Sequence, residues 1–228
     1  MALLTRVPFF RDCGLDLETL EKRCIVKRFD DGEVVLDFDD HTSDVYFLAS
    51  GDVRVLFRTQ AGKEVIFGDL RSGQFFGELA AIDNVPRSAN VTALTRAEMV
   101  IMSANIFRES VFGTPTLSER MMKILTARTR ELNARLMEQA VLDLRHRLYS
   151  ELLRLSLPRP GHEGERVITP PPFHHVLAAR IGCRREQVTR EFTTMTEQGL
   201  VEKTRGAIIL KKPSVLEQRI AEALREGE

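Results

Sequence analysis

The sequence contains little cysteine. Its three cysteines, Cys13, Cys24 and Cys183, are scattered over 228 residues. This spacing provides no disulfide framework and no Cys-x-x-Cys metal motif, and it is typical of a protein from a reducing compartment. Iron–sulfur sensors need a cysteine cluster, and the five histidines show no pattern of haem ligands. We therefore expect no metal, no haem and no iron–sulfur cluster.

Long apolar runs are also missing. The apolar start of the chain is interrupted at Arg6, Pro8 and Arg11. No stretch approaches the ~20 apolar residues that a membrane helix needs, and no signal peptide with a cleavage pattern is present. We therefore expect a cytoplasmic protein that does not bind membranes.

An excess of one charge is absent as well, because 33 basic residues balance 33 acidic ones. Composition as a whole therefore indicates no particular partner. The balance is about −3 over residues 1–142 and about +3 over residues 143–228, which ordinary surface variation could produce. Between Arg180 and Lys212, however, eight basic residues face four acidic ones.

From about Ile25 to Met102 the sequence alternates apolar and polar residues in short runs that Gly and Asp separate. Short strands at this spacing are typical of an antiparallel β barrel or a jelly-roll-like β domain. The segment AGK at 61–63 is typical of a hairpin turn between two such strands.

A long helix is predicted between Thr116 and about Leu144, where Gly and Pro are absent and strong helix formers dominate. Its apolar stripe consists of Met121, Leu125, Leu132 and Leu136. The stripe fits a helix that lies on its own β domain, and it fits equally well a seam between two copies of the chain.

Farther along, a second helix is predicted at 144–157, followed by a loop or exposed hairpin rich in Pro and Gly. After the hairpin, Ala178, Gly182 and Val188 have the spacing of a helix-turn-helix motif. In that motif a small residue lets the helices approach, a glycine makes the turn and a β-branched residue packs the second helix on the first.

The second helix of this motif carries a basic face. Arg185, Glu186 and Arg190 lie close together on it, offering guanidinium groups for guanine and a carboxylate for cytosine. Glu186 could instead only pair with Arg190 four residues on. Beyond the helix, a β hairpin with Lys203 and Arg205 near its tip completes a winged motif that would contact phosphates. The plainer alternative is a two-helix hairpin with a solvated basic face.

With these three regions in this order, the sequence resembles the CRP/FNR family of bacterial transcription regulators over roughly residues 15–212. In that family a β-roll binds a cyclic nucleotide, a long helix makes the dimer and a winged helix-turn-helix binds a palindromic operator. The segment CRREQVTR resembles the family's recognition helix, and this resemblance implies a preference for TGTGA-like half-sites.

The segment FGELAAIDNVPRSANV at 76–91 likewise resembles the phosphate-binding cassette of cyclic-nucleotide-binding domains. Arg87 is a natural partner for a cyclic phosphodiester, and Ser88 with N–H groups of a short helix can complete the cradle. Glu78 can accept a hydrogen bond from a ribose 2′-OH, and Gly77 lets the backbone approach the ligand. The alternative is a buried Glu78–Arg87 pair that only closes a bend.

The part of the site that would contact the base departs from the family pattern. In the family a Thr-Ser pair on the dimer helix contacts the purine, and counting without gaps places this pair on Leu132 and Asn133. Leu132 cannot form a hydrogen bond, whereas Asn133 has a donor and an acceptor, and Thr129 lies one turn earlier. The departure leaves both cyclic AMP and cyclic GMP as candidate ligands.

A second departure concerns the start of the helix-turn-helix. Prolines precede His174 and His175, either of which could contact phosphate or be an ordinary surface histidine. A Ser or Thr cap for the first helix would have to come from Thr169 or be absent.

The resemblance implies an α+β protein in three parts. These are a jelly-roll-like β-roll that binds a cyclic nucleotide at 1–115, a long dimerisation helix at 116–142, and a winged helix-turn-helix domain at 143–228. The expected nucleotide-binding residues are Phe76, Gly77, Glu78, Leu79, Arg87, Ser88, Ala89, Thr129, Leu132 and Asn133. The expected DNA-binding residues are His174, His175, Arg184, Arg185, Glu186, Gln187, Thr189, Arg190, Lys203 and Arg205.

The implied function is that of a homodimeric, sequence-specific transcription regulator under allosteric control by cyclic AMP or cyclic GMP. Its expected partners are a palindromic operator, a second copy of the chain and RNA polymerase. One alternative is a regulator of the same type that needs no nucleotide, and another is a sensor of a different effector. Nucleophile elbow, HExxH, P-loop and dinucleotide motifs are absent, so we do not expect an enzyme.

Overall fold

The computed structural model describes residues 2–226. The chain divides into two compact units, Met1–Arg128 and Thr129–Glu228. The boundary lies within the long helix, so each unit contains part of it. No helix among the described residues combines the length and the apolar character that spanning a membrane requires.

The first unit is built on eight short strands, which confirms the predicted β domain. They form two four-stranded antiparallel sheets, in the orders β1-β8-β3-β6 and β2-β7-β4-β5. The strands β4 and β5 flank the predicted hairpin turn. The bounds are β1 Ile25–Phe29, β2 Val34–Leu36, β3 Val45–Ser50, β4 Asp52–Arg58, β5 Glu64–Arg71, β6 Phe75–Phe76, β7 Asn90–Ala93 and β8 Ala97–Met102.

Aromatic rings fill the larger of the two hydrophobic clusters in this unit. Phe10 reaches it from a short 3-10 helix near the start of the chain, and its ring lies 4.8 Å from that of Phe47. Phe107 packs on the other side of Phe47 at 6.3 Å. All three side chains are fully buried, so the apolar start of the chain belongs to the core of the β domain.

Four helices accompany these strands: α1 Leu17–Glu21, α2 Glu78–Asp83, α3 Ala104–Gly113 and α4 Pro115–Val141. Helix α4 begins at a proline, which is favourable at the first helical position, and contains no glycine. Its beginning lies on the β domain, because Leu117 and Met121 are buried. Farther along, Leu132 is 62% and Leu136 69% exposed. The predicted apolar stripe is therefore buried at Met121 and exposed to solvent at Leu132 and Leu136.

The second unit surrounds a separate core. A four-stranded sheet in the order β11-β12-β10-β9 packs with helices whose buried side chains include Leu148, Leu152 and Phe192. The bounds are α5 Leu144–Leu155, β9 Leu157–Pro158, β10 Arg166–Ile168, α6 His174–Ile181, α7 Arg185–Glu197, β11 Val201–Lys203, β12 Ile208–Leu210 and α8 Pro213–Glu226.

Helix α8 has no counterpart among the predicted elements. Its Leu216 is fully buried in the core of the second unit. Arg219 donates hydrogen bonds to the Tyr149 hydroxyl at 3.3 Å and to Gln198 at 2.9 Å. The second unit therefore includes a packed helix beyond residue 212, where the family resemblance ends.

Candidate functional site

The segment that resembles the phosphate-binding cassette begins at a turn with a left-handed glycine. Gly77 has a φ of 88° and separates β6 from α2. A Cβ at this position would lie 2.7 Å from the Asp44 carbonyl oxygen and 2.8 Å from Nη1 of Arg87. The glycine is therefore required by contacts inside the protein, whether or not a ligand approaches it.

Arg87 is buried at the centre of this segment, with 4% of its surface exposed. Its guanidinium donates hydrogen bonds to Thr42 Oγ1 at 3.1 Å, to the Gly77 carbonyl at 3.0 Å and to the Asp44 carbonyl at 2.8 Å. Burial lowers the pKa of Arg87 from its ordinary value, but an arginine remains protonated in a protein. Three of its five N–H groups thus fix the direction of a buried positive charge.

The backbone of Arg87 is held as firmly as its side chain. Its N–H donates to the Asp40 carbonyl, and its carbonyl accepts from the Asp39 N–H, both at 2.9 Å. The loop before β3 therefore forms one wall of the site. Sequence reasoning did not find this loop, because most of its contacts with Arg87 use backbone atoms and leave no residue pattern.

Glu78, the other predicted anchor of the site, is 3% exposed and pairs with Arg128 instead of Arg87. The distance from Glu78 Oε1 to Arg128 Nη1 is 2.5 Å. Arg128 also donates to the Phe75 carbonyl at 3.0 Å and lies over the Phe75 ring. The alternative of a Glu78–Arg87 pair that closes a bend is therefore wrong, and Arg128 is a partner of Glu78 that the sequence analysis missed.

The remaining cassette residues differ in their environments. Phe76 is buried and stacks on Tyr46, with ring centroids 5.1 Å apart. Ser88 is exposed, Ala89 is half-buried and Leu79 is 46% exposed. This part of the first unit thus combines a buried guanidinium, an exposed hydroxyl and a carboxylate that is already paired with a cation. Such a set suits a ligand with both an anionic group and a hydroxyl.

The three residues expected to contact the base lie on α4 in the second unit. Thr129, Leu132 and Asn133 are all exposed. Their contribution to a ligand site stays a prediction.

The helix-turn-helix is present in the second unit as predicted. Helices α6 and α7 are joined at Gly182, which has a φ of 69°, and the Cys183 N–H donates to the Ala178 carbonyl at 3.0 Å. Ala178 and Val188 are buried where the helices meet. The glycine fits a left-handed position that most other residues adopt only with strain.

On the outer side of α7, Arg184, Arg185, Glu186 and Arg190 are exposed. Among the residues that the structure describes, no ion pair joins Glu186 to Arg190. Gln187 differs from the expectation that it points outward. It is half-buried, and its side-chain oxygen accepts a hydrogen bond from the Arg184 N–H at 3.0 Å, which caps the start of the helix.

His174 has contacts inside the second unit, and its predicted contact with phosphate stays a prediction. Its ring stacks on Phe192 at 4.9 Å, and Nδ1 forms a hydrogen bond with Thr189 Oγ1 at 2.8 Å. The Nε2 atom is buried, and burial lowers the pKa of His174. The ring therefore packs α6 against α7 through Phe192 and Thr189. His175 is exposed and stays a candidate phosphate contact.

Thr189 takes part in the same arrangement. Its hydroxyl donates to the Arg185 carbonyl at 3.1 Å, and its side chain is exposed. The hydroxyl therefore meets both the backbone of α7 and the His174 ring, and its expected contact with DNA stays a prediction.

The wing is a hairpin of β11 and β12 with Lys203 and Arg205 exposed at its end. Thr169 donates to the Gly206 carbonyl at 3.1 Å and so contacts the wing. No side chain caps α6, which Phe173 precedes, so of the two alternatives for this helix the structure shows the one without a side-chain cap.

Comparison with known proteins identifies a family for each of the two regions. A model of the cyclic nucleotide-binding domain matches residues 26–112, and a model of the Crp-like helix-turn-helix domain matches residues 146–219. The chain is 30% identical over 178 residues to the cyclic AMP receptor protein of Thermus thermophilus, covering 76% of this chain and 78% of that protein. The chain belongs to the CRP/FNR family. The protein is thus a DNA-binding transcription regulator with a cyclic nucleotide-binding domain, in a family of regulators and not of enzymes.

Solved CRP/FNR structures share the fold. A CooA mutant from Carboxydothermus hydrogenoformans has a TM-score of 0.77 at 18% identity, covering 91% of this chain and 92% of that one. A CRP/FNR family transcriptional regulator from Thermus thermophilus has a TM-score of 0.68 at 24% identity, covering 86% of this chain and 98% of that one.

Within the described residues, no group of three or more His, Cys, Asp or Glu side chains is arranged to hold a metal ion.

Proposed function

We propose that the protein is a homodimeric transcription regulator whose affinity for a palindromic operator is controlled by a cyclic purine nucleotide. The observation that carries this proposal is the buried Arg87 guanidinium, which three internal hydrogen bonds hold in one orientation inside a domain of the cyclic-nucleotide-binding type. A cation fixed in this way binds an anionic ligand without first paying to become ordered.

Each cassette residue has a role in this proposal. Arg87 and Ser88 bind the cyclic phosphate, with the two remaining N–H groups of Arg87 available to its oxygens. Glu78 accepts a hydrogen bond from the ribose 2′-OH while Arg128 keeps its charge balanced. A buried carboxylate without such a partner would be costly, so Arg128 compensates the burial of Glu78 next to the proposed ribose.

The choice of base depends on α4. Asn133 can serve either the adenine amine or the guanine oxygen and amine, and Thr129 adds a hydroxyl. A relative at 30% identity is named a cyclic AMP receptor protein. Cyclic AMP is therefore our first candidate, and cyclic GMP is the second.

On DNA, Arg185 and Arg190 would each read a guanine, and Glu186 would accept from a cytosine amine. All three side chains are exposed. These contacts correspond to a TGTGA-like half-site with an inverted partner, bound by two copies of α7 in successive major grooves. Lys203 and Arg205 of the wing would contact phosphates.

Dimerisation would use the exposed part of the stripe on α4. Leu132 and Leu136, which lie one turn apart, are both more than half exposed, and Met137 is 48% exposed. Large apolar side chains in such a row are typical of a helix that pairs with a twin. The row is continuous with the residues that would contact the base, so one helix would serve both ligand and partner.

We expect Leu136→Asp to convert the dimer to a monomer, because the carboxylate would lose its water on pairing. Light scattering after size-exclusion chromatography measures this directly. Ala134→Asp is the matched control, since residue 134 is exposed and lies about 200° around the helix from residue 136. A Leu136→Asp protein with the mass of the wild type would contradict this seam.

A second candidate function is a regulator that binds DNA without any nucleotide. Two observations favour it: Arg128 balances the charge of Glu78 without a ligand, and Arg87 already donates three hydrogen bonds inside the protein. In that case the cassette would be only a structural part of the β domain.

Calorimetry distinguishes the two candidates. Wild-type protein is titrated with cyclic AMP, with cyclic GMP and with linear 5′-AMP as control, and the titrations are repeated on Asn133→Ala. The proposal predicts saturable binding of one cyclic nucleotide and a weaker preference between the two bases in the variant. If neither cyclic nucleotide binds, the regulator is independent of nucleotide.

A further inference from the structure

The helix that carries Glu78 is short, and its far end needs support. Helix α2 has six residues, with Glu78 at its first position. Helices of this length are not stable by themselves and depend on tertiary contacts. The helix ends at Asn84, which adopts a left-handed conformation with a φ of 59° and donates its N–H to the Ala80 carbonyl.

Arg108 of α3 supplies this support. Its Nη1 donates to the Ala81 carbonyl at 2.9 Å and to the Asn84 side-chain oxygen at 3.0 Å. Its Nη2 donates to the side-chain oxygen of Asn105 at 2.7 Å, one turn earlier on α3. The Asn105 contact therefore orients the guanidinium from its own helix, and the other two hydrogen bonds hold it at the C-terminal end of α2. A positive charge at this end of a helix interacts favourably with the helix dipole.

Both helices that Arg108 joins, α2 and α3, also pack into the core of the first unit. On α3, Phe107 and Val111 are completely buried in the core of the first unit. On α2, Ala81 is completely buried as well. The hydrogen bonds of Arg108 thus join two elements that the core already fixes, so little freedom remains for α2 to shift or fray.

We propose that Arg108 is a positioning residue for the nucleotide site. It holds α2 so that Glu78, at the other end of the helix, faces the ribose and stays in reach of Arg128. This inference rests on the proposed nucleotide function. Arg108 itself touches no ligand in this arrangement and acts through the helix.

Hydrogen–deuterium exchange of the ligand-free protein tests whether Arg108 stabilises α2. Arg108→Gln should make the amide hydrogens of residues 80–84 exchange about tenfold faster while those of α3 stay unchanged, because the grip on the helix end is lost. Arg23→Gln is the matched control. Arg23 pairs with Glu109, the next residue of α3, at 2.7 Å in an exposed ion pair. Exchange of α2 at the wild-type rate in Arg108→Gln would overturn the proposal.

Calorimetry with the same variants tests the consequence for the ligand. Arg108→Gln should bind the cyclic nucleotide about tenfold more weakly than wild type. Arg108→Lys should recover part of the affinity, and Arg23→Gln should bind normally. Wild-type affinity in Arg108→Gln would overturn the positioning role. If the wild type itself binds no nucleotide, the proposed function fails and the ligand role of Arg108 fails with it, while the exchange result still reports its hold on α2.

Discussion

Arg87→Gln is expected to weaken the binding of the cyclic nucleotide about a hundredfold or more. The variant removes a buried cation and the two N–H groups proposed to meet the phosphate. Hydrogen bonds from a charged group are worth about 1.5–3 kcal/mol each, and about 1.4 kcal/mol corresponds to a tenfold change in affinity. Calorimetry with cyclic AMP and cyclic GMP measures the loss.

The same substitution also removes internal hydrogen bonds, so folding has to be separated from binding. Loss of Arg87 leaves the Gly77 and Asp44 carbonyls without their present donor, and each buried unsatisfied group costs about 1–3 kcal/mol. Thermal melting should therefore show a less stable but folded protein. Arg58→Gln is a control for charge, because Arg58 pairs with Glu64 in a partly exposed ion pair. A folded Arg87→Gln protein with normal nucleotide affinity would refute the site.

The second large effect is expected on DNA. Arg185→Ala should cost about 1–3 kcal/mol for each half-site and relax the preference for guanine at one position, because a bidentate arginine distinguishes guanine from the other bases. Lys203→Ala in the wing should weaken binding to all sequences alike and lower the salt dependence by about one phosphate contact for each half-site. Fluorescence anisotropy with the operator and with variants of each half-site base separates the two patterns.

Equal loss on all sequences in Arg185→Ala would contradict the assignment of this arginine to a base. His174→Asn provides an internal comparison, because it removes the ring that stacks on Phe192 but no positive charge. It should reduce operator affinity by loosening α7 without changing the salt dependence.

The order of the elements follows from local sequence. Alternation of apolar and polar residues predicts the strands of the first unit, and the absence of Gly and Pro predicts α4. Gly182 predicts the turn between α6 and α7, because its left-handed backbone favours one residue type. In each case the signal lies within a few residues, so one sequence is enough to find it.

The finer contacts of the site follow from the tertiary fold. Glu78 and Arg128 are 50 residues apart, and Arg87 and Asp44 are 43 apart. Arg87 donates to the backbone carbonyls of Gly77 and Asp44. Every residue has a backbone carbonyl, so no side-chain pattern in the sequence predicts these hydrogen bonds. Gln187 occupies the third helical position, where a Glu or Gln side chain often accepts a hydrogen bond from the N-cap N–H in a capping box. The N-cap residue here is Arg184 and not Ser or Thr, so the sequence does not show the usual capping-box pattern.

The most direct test of the account is the affinity for a labelled palindromic TGTGA-type operator, measured with and without saturating cyclic AMP and cyclic GMP. Nucleotide control requires that the ligand bind one arrangement of the dimer better than the other. The account predicts at least a tenfold gain in operator affinity with one of the two nucleotides, and no gain in Arg87→Gln. Operator affinity that is unchanged by saturating amounts of both nucleotides would contradict it.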